Sequence, residues 1–210
     1  PNYIDGSKYL SRFRDKCIVI PNCIQPERLI ANEDTVHMVK SIKEKYAGKT
    51  ICFAVGRHVP YKGMEYLVKA SKYLDDSFAI LIGGKGPLTE ELIKMAQNDK
   101  KVEFLGRVSD DELIAYYEAC DIFAFPSITK NEAFGIALAE GMFFAKPAVT
   151  FTIPGSGVNY VNITDETGIE CPNRDIKAYA QALIQLSGDE KLRTQLGANA
   201  RKRVEHLFMF

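Results

Sequence analysis

The chain has 210 residues, of which 46% are hydrophobic and 26% charged, as is typical of a folded globular protein long enough to form a core. Lysine plus arginine and aspartate plus glutamate both number 27, so no net positive charge favours nucleic acid as a partner. The five cysteines show no CxxC spacing and the three histidines lie far apart, which argues against disulfides and a structural zinc site. No apolar run approaches the roughly 20 residues that span a bilayer.

Short apolar runs of strand length follow one another along the chain, separated by segments with helical periodicity. The segment CIVIPNC (17–23) predicts a strand and a turn, and a helix is expected over residues 35–46. Beyond residue 50 the runs lack polar–apolar alternation, which favours strands covered on both faces. They are ICFAVG (51–56), FAILIGG (78–84), VEFLG (102–106), DIFAFP (121–126) and PAVTF (147–151).

Amphipathic helices are predicted between these strands and after the last one. SDDEL is a capping box with Ser109 as N-cap and Glu112 at the third helical position, and Asp175 is expected to cap a later helix. The alternation implies an α/β protein with a Rossmann-like, doubly wound parallel sheet of about six strands and helices on both faces. Because such sheets bind ligands beyond the carboxyl ends of their strands, the loops there are predicted to share one rim.

The first rim loop, in AVGRHVPYKGMEYLV, offers cations to an anionic ligand. Arg57 follows the strand end, and Lys62 stands beside the start of the next helix. Arginine presents a planar fork to phosphate oxygens, lysine a mobile point charge, and a helix N-terminus free amides. Taken alone, two solvated loop residues remain the simpler interpretation.

Two further rim loops are rich in glycine. IGGKGPL, which includes Gly84, is not a dinucleotide fingerprint because Thr89 occupies the third glycine position, so it predicts a tight turn before a helix. In FLGRVSDDEL, the backbone of Gly106, Arg107 and Val108 is placed to read the edge of a nucleobase. A plain strand–helix turn explains that segment equally well.

The stretch SITKNEAFGIALAEGMFFAKPAV carries two glutamates eight positions apart. The helix is predicted to begin near Phe134 or Gly135, so Glu132 precedes it and Glu140 lies about two turns inside it. Amides of Phe134, Gly135 and Ile136 favour a phosphate, and each carboxylate accepts the hydroxyls of a sugar or ribose. A charge near a helix start and a solvated helix residue are the alternatives. Because Glu140 lies in an apolar run, where an unpaired carboxylate is costly, the pattern favours a nucleoside diphospho-sugar site.

In chain order, GRHVPYKG, FLGRVSDDEL and PSITKNEAFGIALAEGM resemble the nucleotide-binding C-terminal domain of retaining glycosyltransferases with the GT-B fold, the glycosyl transferases of group 1. The two glutamates match that family's E-x7-E pattern. VIPNCIQPERL (19–29), TGIECPNRD (167–175) and the final LFMF extend the resemblance over nearly the whole chain. It implies that residues 1–30 lead in from an N-terminal domain, that 31–205 form the donor-binding half of a GT-B fold, and that 206–210 begin a C-terminal segment.

The resemblance also implies roles for the rim residues. Arg57 and Lys62 would neutralise the donor diphosphate, Glu132 would hold hydroxyls of the donor sugar, and Glu140 would hold those of the ribose. The remaining donor-binding residues would be Gly84, Gly106, Arg107, Val108, Phe134, Gly135 and Ile136. Retention by front-side attack, in which the diphosphate leaving group assists deprotonation of the acceptor, needs no protein nucleophile. No metal is expected, and the chain has no Asp-x-Asp motif.

The resemblance further implies a UDP-sugar or GDP-sugar as donor, no cofactor, and a glycan or lipid-linked acceptor bound through the preceding N-terminal domain. The full-length protein would be cytoplasmic, with peripheral association at the inner face of the membrane permitted. The chain alone is expected to bind nucleotide weakly without transferring sugar. A sugar-nucleotide 2-epimerase and a non-catalytic nucleotide-sugar-binding or scaffold domain are the alternatives, which the glutamate spacing and the intact set of four charges disfavour.

Two departures from the family pattern stand out. The helix closes with MFFAKP, so that Phe143 and Phe144 make its end bulkier than the small residues usual there. Asn159 stands where many relatives carry glutamate, which puts a donor contact in question. Neither departure affects the predicted fold.

Overall fold

The structure is a computed structural model that describes residues 2–209, with side chains from residue 4 onward. Its centre is a six-stranded parallel sheet in the order β3-β2-β1-β4-β5-β6. This confirms the predicted Rossmann-like sheet. The strands are β1 (Thr50–Val55), β2 (Phe78–Gly83), β3 (Val102–Gly106), β4 (Ile122–Phe125), β5 (Ala148–Phe151) and β6 (Gly168–Cys171).

Helices cover both faces of the sheet, and the direction of each crossover decides which face a helix covers. The helices are α1 (Asn2–Asp5), α2 (Glu33–Lys45), α3 (Met64–Ala70), α4 (Thr89–Met95), α5 (Asp110–Ala119), α6 (Ile136–Phe143), α7 (Val158–Val161), α8 (Ile176–Gly188) and α9 (Glu190–Leu207). From β1 to β3 the chain moves to one side, and from β3 to β6 it moves to the other, so right-handed crossovers place α3 and α4 opposite α5 and α6. Farther along the chain, α8 packs on α3 and α9 packs on α6.

Three strands are buried along their whole length, as their unbroken apolar runs predict. Every residue of β2, β4 and β5 is buried. The predicted caps are confirmed as well: the Ser109 hydroxyl accepts the amide of Glu112, whose carboxylate accepts the amide of Ser109. The carboxylate of Asp175 accepts the amide of Ala178 at the start of α8.

The strand predicted over 17–23 is wrong. The segment has no regular structure, and its Ile18 and Ile20 side chains are 87% and 86% exposed. An apolar run becomes a strand only where a neighbouring strand accepts its hydrogen bonds, and no strand of the described residues lies beside this segment. Pairing begins one residue later, where the Ile24 amide donates to the Phe208 carbonyl oxygen at 2.8 Å.

The hydrophobic core reaches past residues 31–205 at both ends. Ile24 and Leu29 are buried on the amino-terminal side, and Phe208 is fully buried on the carboxyl-terminal side. The segment 24–29 is therefore packed as part of the domain, which matters because it forms one wall of the site. Within residues 2–209, no helix combines the length and the apolarity needed to cross a membrane.

Candidate functional site

The strand order reverses between β1 and β4, and their carboxyl ends form the crevice where open α/β sheets bind ligands. Backbones are closely packed along this rim. The Gly84 amide donates to the Gly106 carbonyl oxygen at 2.6 Å, and a Cβ on Gly84 (φ +110°) would overlap the carbonyl oxygen of Gly56. Glycine is required there because three strand ends meet without room for a side chain.

Lys62 and Glu132 meet at this crevice. Lys62 ends the short 3-10 turn Pro60–Lys62, and its ammonium lies 2.5 Å from Glu132 Oε2. Only 15% and 10% of the two side chains is exposed. The ammonium also lies 5.3 Å from the centroid of the Phe125 ring, where a cation is attracted. The Lys62 ammonium is therefore held at the switch point by its ion pair with Glu132, close to where α6 begins.

Arg57 follows the carboxyl end of β1 at this crevice. Its side chain is exposed, and no carboxylate of the described residues lies within 4.0 Å of it. The Lys62 stem covers Gly56, the residue before Arg57, because a Cβ on Gly56 would lie 3.6 Å from Lys62 Cε. The structure therefore brings Lys62 and Glu132 into contact and places the backbone next to Arg57 beside the Lys62 stem.

Two serines that the sequence reasoning missed hold Glu132 in place. The Ser127 hydroxyl donates to Glu132 Oε2 at 2.9 Å, and the Ser156 hydroxyl donates to the Glu132 carbonyl oxygen. Both serines are buried. In the sequence these serines lie in FPS at the end of β4 and in the GSG turn after β5. Neither pattern indicates that Glu132 is the residue they bond. The Glu132 carboxylate is thus fixed by one serine and one lysine.

The start of α6 presents unpaired amides to the same crevice. No backbone acceptor in the described part of the chain faces the amides of Phe134, Gly135 or Ile136. Gly135 adopts φ +91° as the N-cap, and a Cβ there would lie 3.0 Å from Phe125 Cζ. These amides lie next to Lys62, and with the positive end of the helix dipole they are chemically suited to an anion.

Glu140 lies farther along α6 and lines a cavity of about 250 Å³. Burial raises the pKa of Glu140, while a hydrogen bond from the Tyr117 hydroxyl to Oε2 at 3.0 Å and the charge of Arg28 oppose the rise. No ion pair engages this carboxylate among the described residues. Glu140 can therefore accept hydroxyl groups from a ligand in the cavity.

The cavity is closed by the segment 24–29 on one side and by the start of α5 on the other. Arg28 lies 3.4 Å from Asp110 across it. The lining residues are Cys23, Ile24, Gln25, Arg28, Leu29, Asp110, Leu113, Ile136 and Glu140. Polar side chains (Gln25, Arg28, Asp110 and Glu140) and apolar ones share this lining, which suits a ring with attached hydroxyls.

The segment after β3 lies on the same rim. Gly106 adopts φ +72°, Arg107 is exposed, and Val108 folds back so that its Cγ2 would lie 2.9 Å from a Cβ on Gly83. Its continuation, α5, supplies Asp110 to the cavity. The predicted base-reading segment and the cavity that holds Glu140 are therefore neighbours.

The two departures from the family pattern have local structural roles. Phe144 stacks on Tyr117, with ring centroids 5.6 Å apart, and so supports the hydroxyl that holds Glu140. The Asn159 side chain accepts the Ile153 amide and donates to the Phe151 carbonyl oxygen, which fixes the loop after β5. Across residues 2–209, no group of three acidic, histidine or cysteine side chains is arranged to hold a metal ion.

Known proteins match this chain in sequence. The model of the family described as "Glycosyl transferases group 1" matches residues 38–203. The chain is 30% identical over 211 residues to O-antigen chain mannosyltransferase C of Escherichia coli, a match covering 99% of this chain and 55% of that protein. It is 33% identical over 210 residues to D-rhamnosyltransferase WbpZ of Pseudomonas aeruginosa, covering 99% and 54%. The chain spans about half the length of these curated relatives.

The fold matches solved structures as well. One is Anabaena Alr3699/HepE in complex with UDP, with a TM-score of 0.79 and 19% sequence identity. That match covers 91% of this chain and 53% of the other. At this level of identity the likeness concerns the fold alone.

Proposed function

Because the chain belongs to the group 1 glycosyl transferases, we propose that it is the donor-binding half of a retaining hexosyltransferase that uses a UDP-sugar or a GDP-sugar without a metal. The observation that carries the proposal is that the Lys62–Glu132 ion pair lies next to the amides without backbone acceptors at the start of α6. A fixed cation, an anion-binding helix end and a carboxylate then surround one small space at the switch point.

Each part of a nucleoside diphospho-sugar has a matching group on this rim. The diphosphate lies between Arg57, Lys62 and the amides that precede α6. The ribose lies in the cavity, where its hydroxyls donate to Glu140, and the base lies toward the segment 106–108. Glu132 faces the sugar, whose hydroxyls replace part of its contact with Lys62.

The chemical step follows from this placement. The bond between the anomeric carbon and the oxygen of the β-phosphate breaks, and the acceptor oxygen bonds to the same face of the sugar. The acceptor proton passes to the departing phosphate. The protein stabilises the negative charge that develops on the diphosphate, a task for preorganised cations and amides rather than for a nucleophile.

The identity of the donor sugar and of the acceptor is a property of the whole protein. The curated relatives are named for mannosyl and rhamnosyl transfer, which supports a hexose or deoxyhexose donor and a glycan product. Acceptor binding is assigned to residues outside this chain, so the 210-residue chain binds donor but transfers no sugar. Sugar transfer catalysed by this chain alone would contradict that assignment. Retention is a separate point, and it is tested by NMR of the anomeric configuration of the product made by the full-length protein.

Donor binding is tested by calorimetric titration of the chain with UDP and GDP. Arg57→Ala is the most informative variant, because Arg57 is exposed and its loss leaves the fold intact. Loss of a charge-assisted bond to phosphate should weaken binding by tenfold or more, at roughly 1.5–3 kcal/mol. Lys49→Ala is the matched control, since Lys49 is exposed at the amino end of β1, on the opposite edge of the sheet.

Two outcomes would contradict the proposal. One is the absence of binding to either nucleotide. The other is binding that Arg57→Ala and Lys49→Ala weaken equally, which would indicate attraction by overall charge. A scaffold domain without a donor site predicts the first of these outcomes.

A further inference from the structure

The glycine-rich turn after β2 (84–89) is held in one conformation, although the roles assigned above use little of it. The His58 amide donates to the Lys85 carbonyl oxygen at 3.2 Å, and the Leu88 amide donates to the His58 carbonyl oxygen at 3.1 Å. A Cβ on Gly86 would overlap the His58 carbonyl oxygen. The turn is therefore fastened to the residue that follows Arg57.

A side-chain contact fastens the turn a second time. The His58 ring is buried, and its Nδ1 lies 2.9 Å from the Thr89 hydroxyl. The same hydroxyl accepts the Gly86 amide at 2.8 Å. Because backbone and side-chain contacts both hold the turn, the backbone of Lys85, its second residue, is fixed.

The Lys85 side chain extends across the carboxyl end of β3. Its Cε would lie 3.3 Å and its Nζ 4.0 Å from a Cβ on Gly106, the residue where that strand ends. Lys85 is exposed, and no carboxylate lies within 4.0 Å of its ammonium in the part of the chain that the structure describes. An unpaired ammonium thus lies beside the segment 106–108, which faces the base under the proposed function.

We propose that Lys85 determines base specificity by donating a hydrogen bond to O6 of guanine or O4 of uracil in the donor's nucleobase. A lysine ammonium has three donors and no acceptor. Guanine presents O6 and uracil presents O4 as acceptors, whereas adenine and cytosine carry an amino group at the corresponding position. Lys85 therefore favours guanine and uracil nucleotides over adenine and cytosine nucleotides. This inference rests on the proposed donor site.

The experiment is calorimetric titration of the chain with GDP, UDP, ADP and CDP. Lys85→Met keeps the apolar stem and removes the donors, so affinity for the preferred diphosphate should fall about tenfold, with ADP and CDP little changed. Lys85→Arg restores a donor and should retain most of the preference. Lys49→Met, the same change on the opposite edge of the sheet, should leave all four affinities unchanged. Comparison of GDP with UDP then identifies the base.

The outcomes separate this inference from the proposed function. If Arg57→Ala abolishes nucleotide binding while Lys85→Met leaves the ranking of the four bases unchanged, Lys85 is not the base reader and the donor site stands. If Lys85→Met weakens all four nucleotides equally, Lys85 contacts phosphate and the inference is overturned. If the chain binds none of the four, the inference and the proposed function both fail.

Discussion

Tyr117→Phe tests whether the Tyr117 hydroxyl holds Glu140. The ring is fully buried, stacks on Phe144 and meets Phe53 edge-on, so phenylalanine keeps the packing. The hydroxyl lies 3.0 Å from Glu140 Oε2 and 3.2 Å from the Ala137 carbonyl oxygen, but its one proton serves one acceptor at a time. The substitution therefore removes one hydrogen bond, worth about 2 kcal/mol with a charged acceptor and about 1 kcal/mol with a neutral one.

The raised pKa of Glu140 determines at which pH Tyr117→Phe costs more stability. Burial raises the folded-state pKa of Glu140 above 4.5, so the folded protein binds this proton more tightly than the unfolded chain does. Stability contributed by this group is complete below 4.5 and falls as pH rises through the raised pKa. The Tyr117 hydrogen bond limits the rise, so its removal enlarges the fall. Tyr117→Phe should lose about 1 kcal/mol more above that pKa than below 4.5.

Urea unfolding below pH 4.5 and again above the raised pKa of Glu140 measures the effect. Tyr116→Phe is the matched control. Tyr116 lies next in sequence and stacks on Phe53, and its hydroxyl makes no hydrogen bond within the described residues. Its substitution should have a small effect that changes little with pH. Equal losses for Tyr117→Phe at both pH values, or no loss at all, would refute the assignment of this hydroxyl to the Glu140 carboxylate.

Two further substitutions test the framework around the site. Gly63→Ala should destabilise the protein by roughly 2 kcal/mol or more in urea unfolding, because Gly63 adopts φ +62° and a Cβ there would overlap the Pro126 carbonyl oxygen; a change below about 0.5 kcal/mol would contradict the close approach. Burial alone would raise the pKa of Asp99, but hydrogen bonds from Lys101 and Ser71 outweigh it and lower the pKa to about 2. Asp99→Asn should therefore flatten the loss of stability that acid denaturation shows between pH 3.8 and about 2, and an unchanged profile would contradict this.

The sheet and its rim could be predicted because their signals are local. Strands such as β2 are apolar on both faces, and the capping box at Ser109 and the N-cap at Asp175 mark helix starts within a few residues. The rule for doubly wound sheets then brings Lys62 and Glu132, 70 positions apart, to one crevice. It gave the neighbourhood of these residues but not the ion pair.

The contacts that tune the site could not be predicted, because they join residues whose separation follows no period. The Tyr117 hydroxyl reaches Glu140 across 23 positions, and Ser156 reaches Glu132 across 24. The segment 17–23 fails for a related reason: its β-forming composition is local, but a strand also needs a neighbour, which composition does not reveal. Lys85 matches no motif in the sequence. Only the structure shows that contacts from His58 and Thr89 hold its turn beside the end of β3.

A crystal structure of the chain with GDP or UDP would test the donor site directly. The diphosphate should lie between Arg57 and the amides of Phe134 to Ile136, with Lys62 turned from Glu132 toward phosphate oxygen and the ribose hydroxyls on Glu140. A nucleotide bound away from the crevice between β1 and β4, with the Lys62–Glu132 pair intact, would contradict the assignment of that crevice as the donor site.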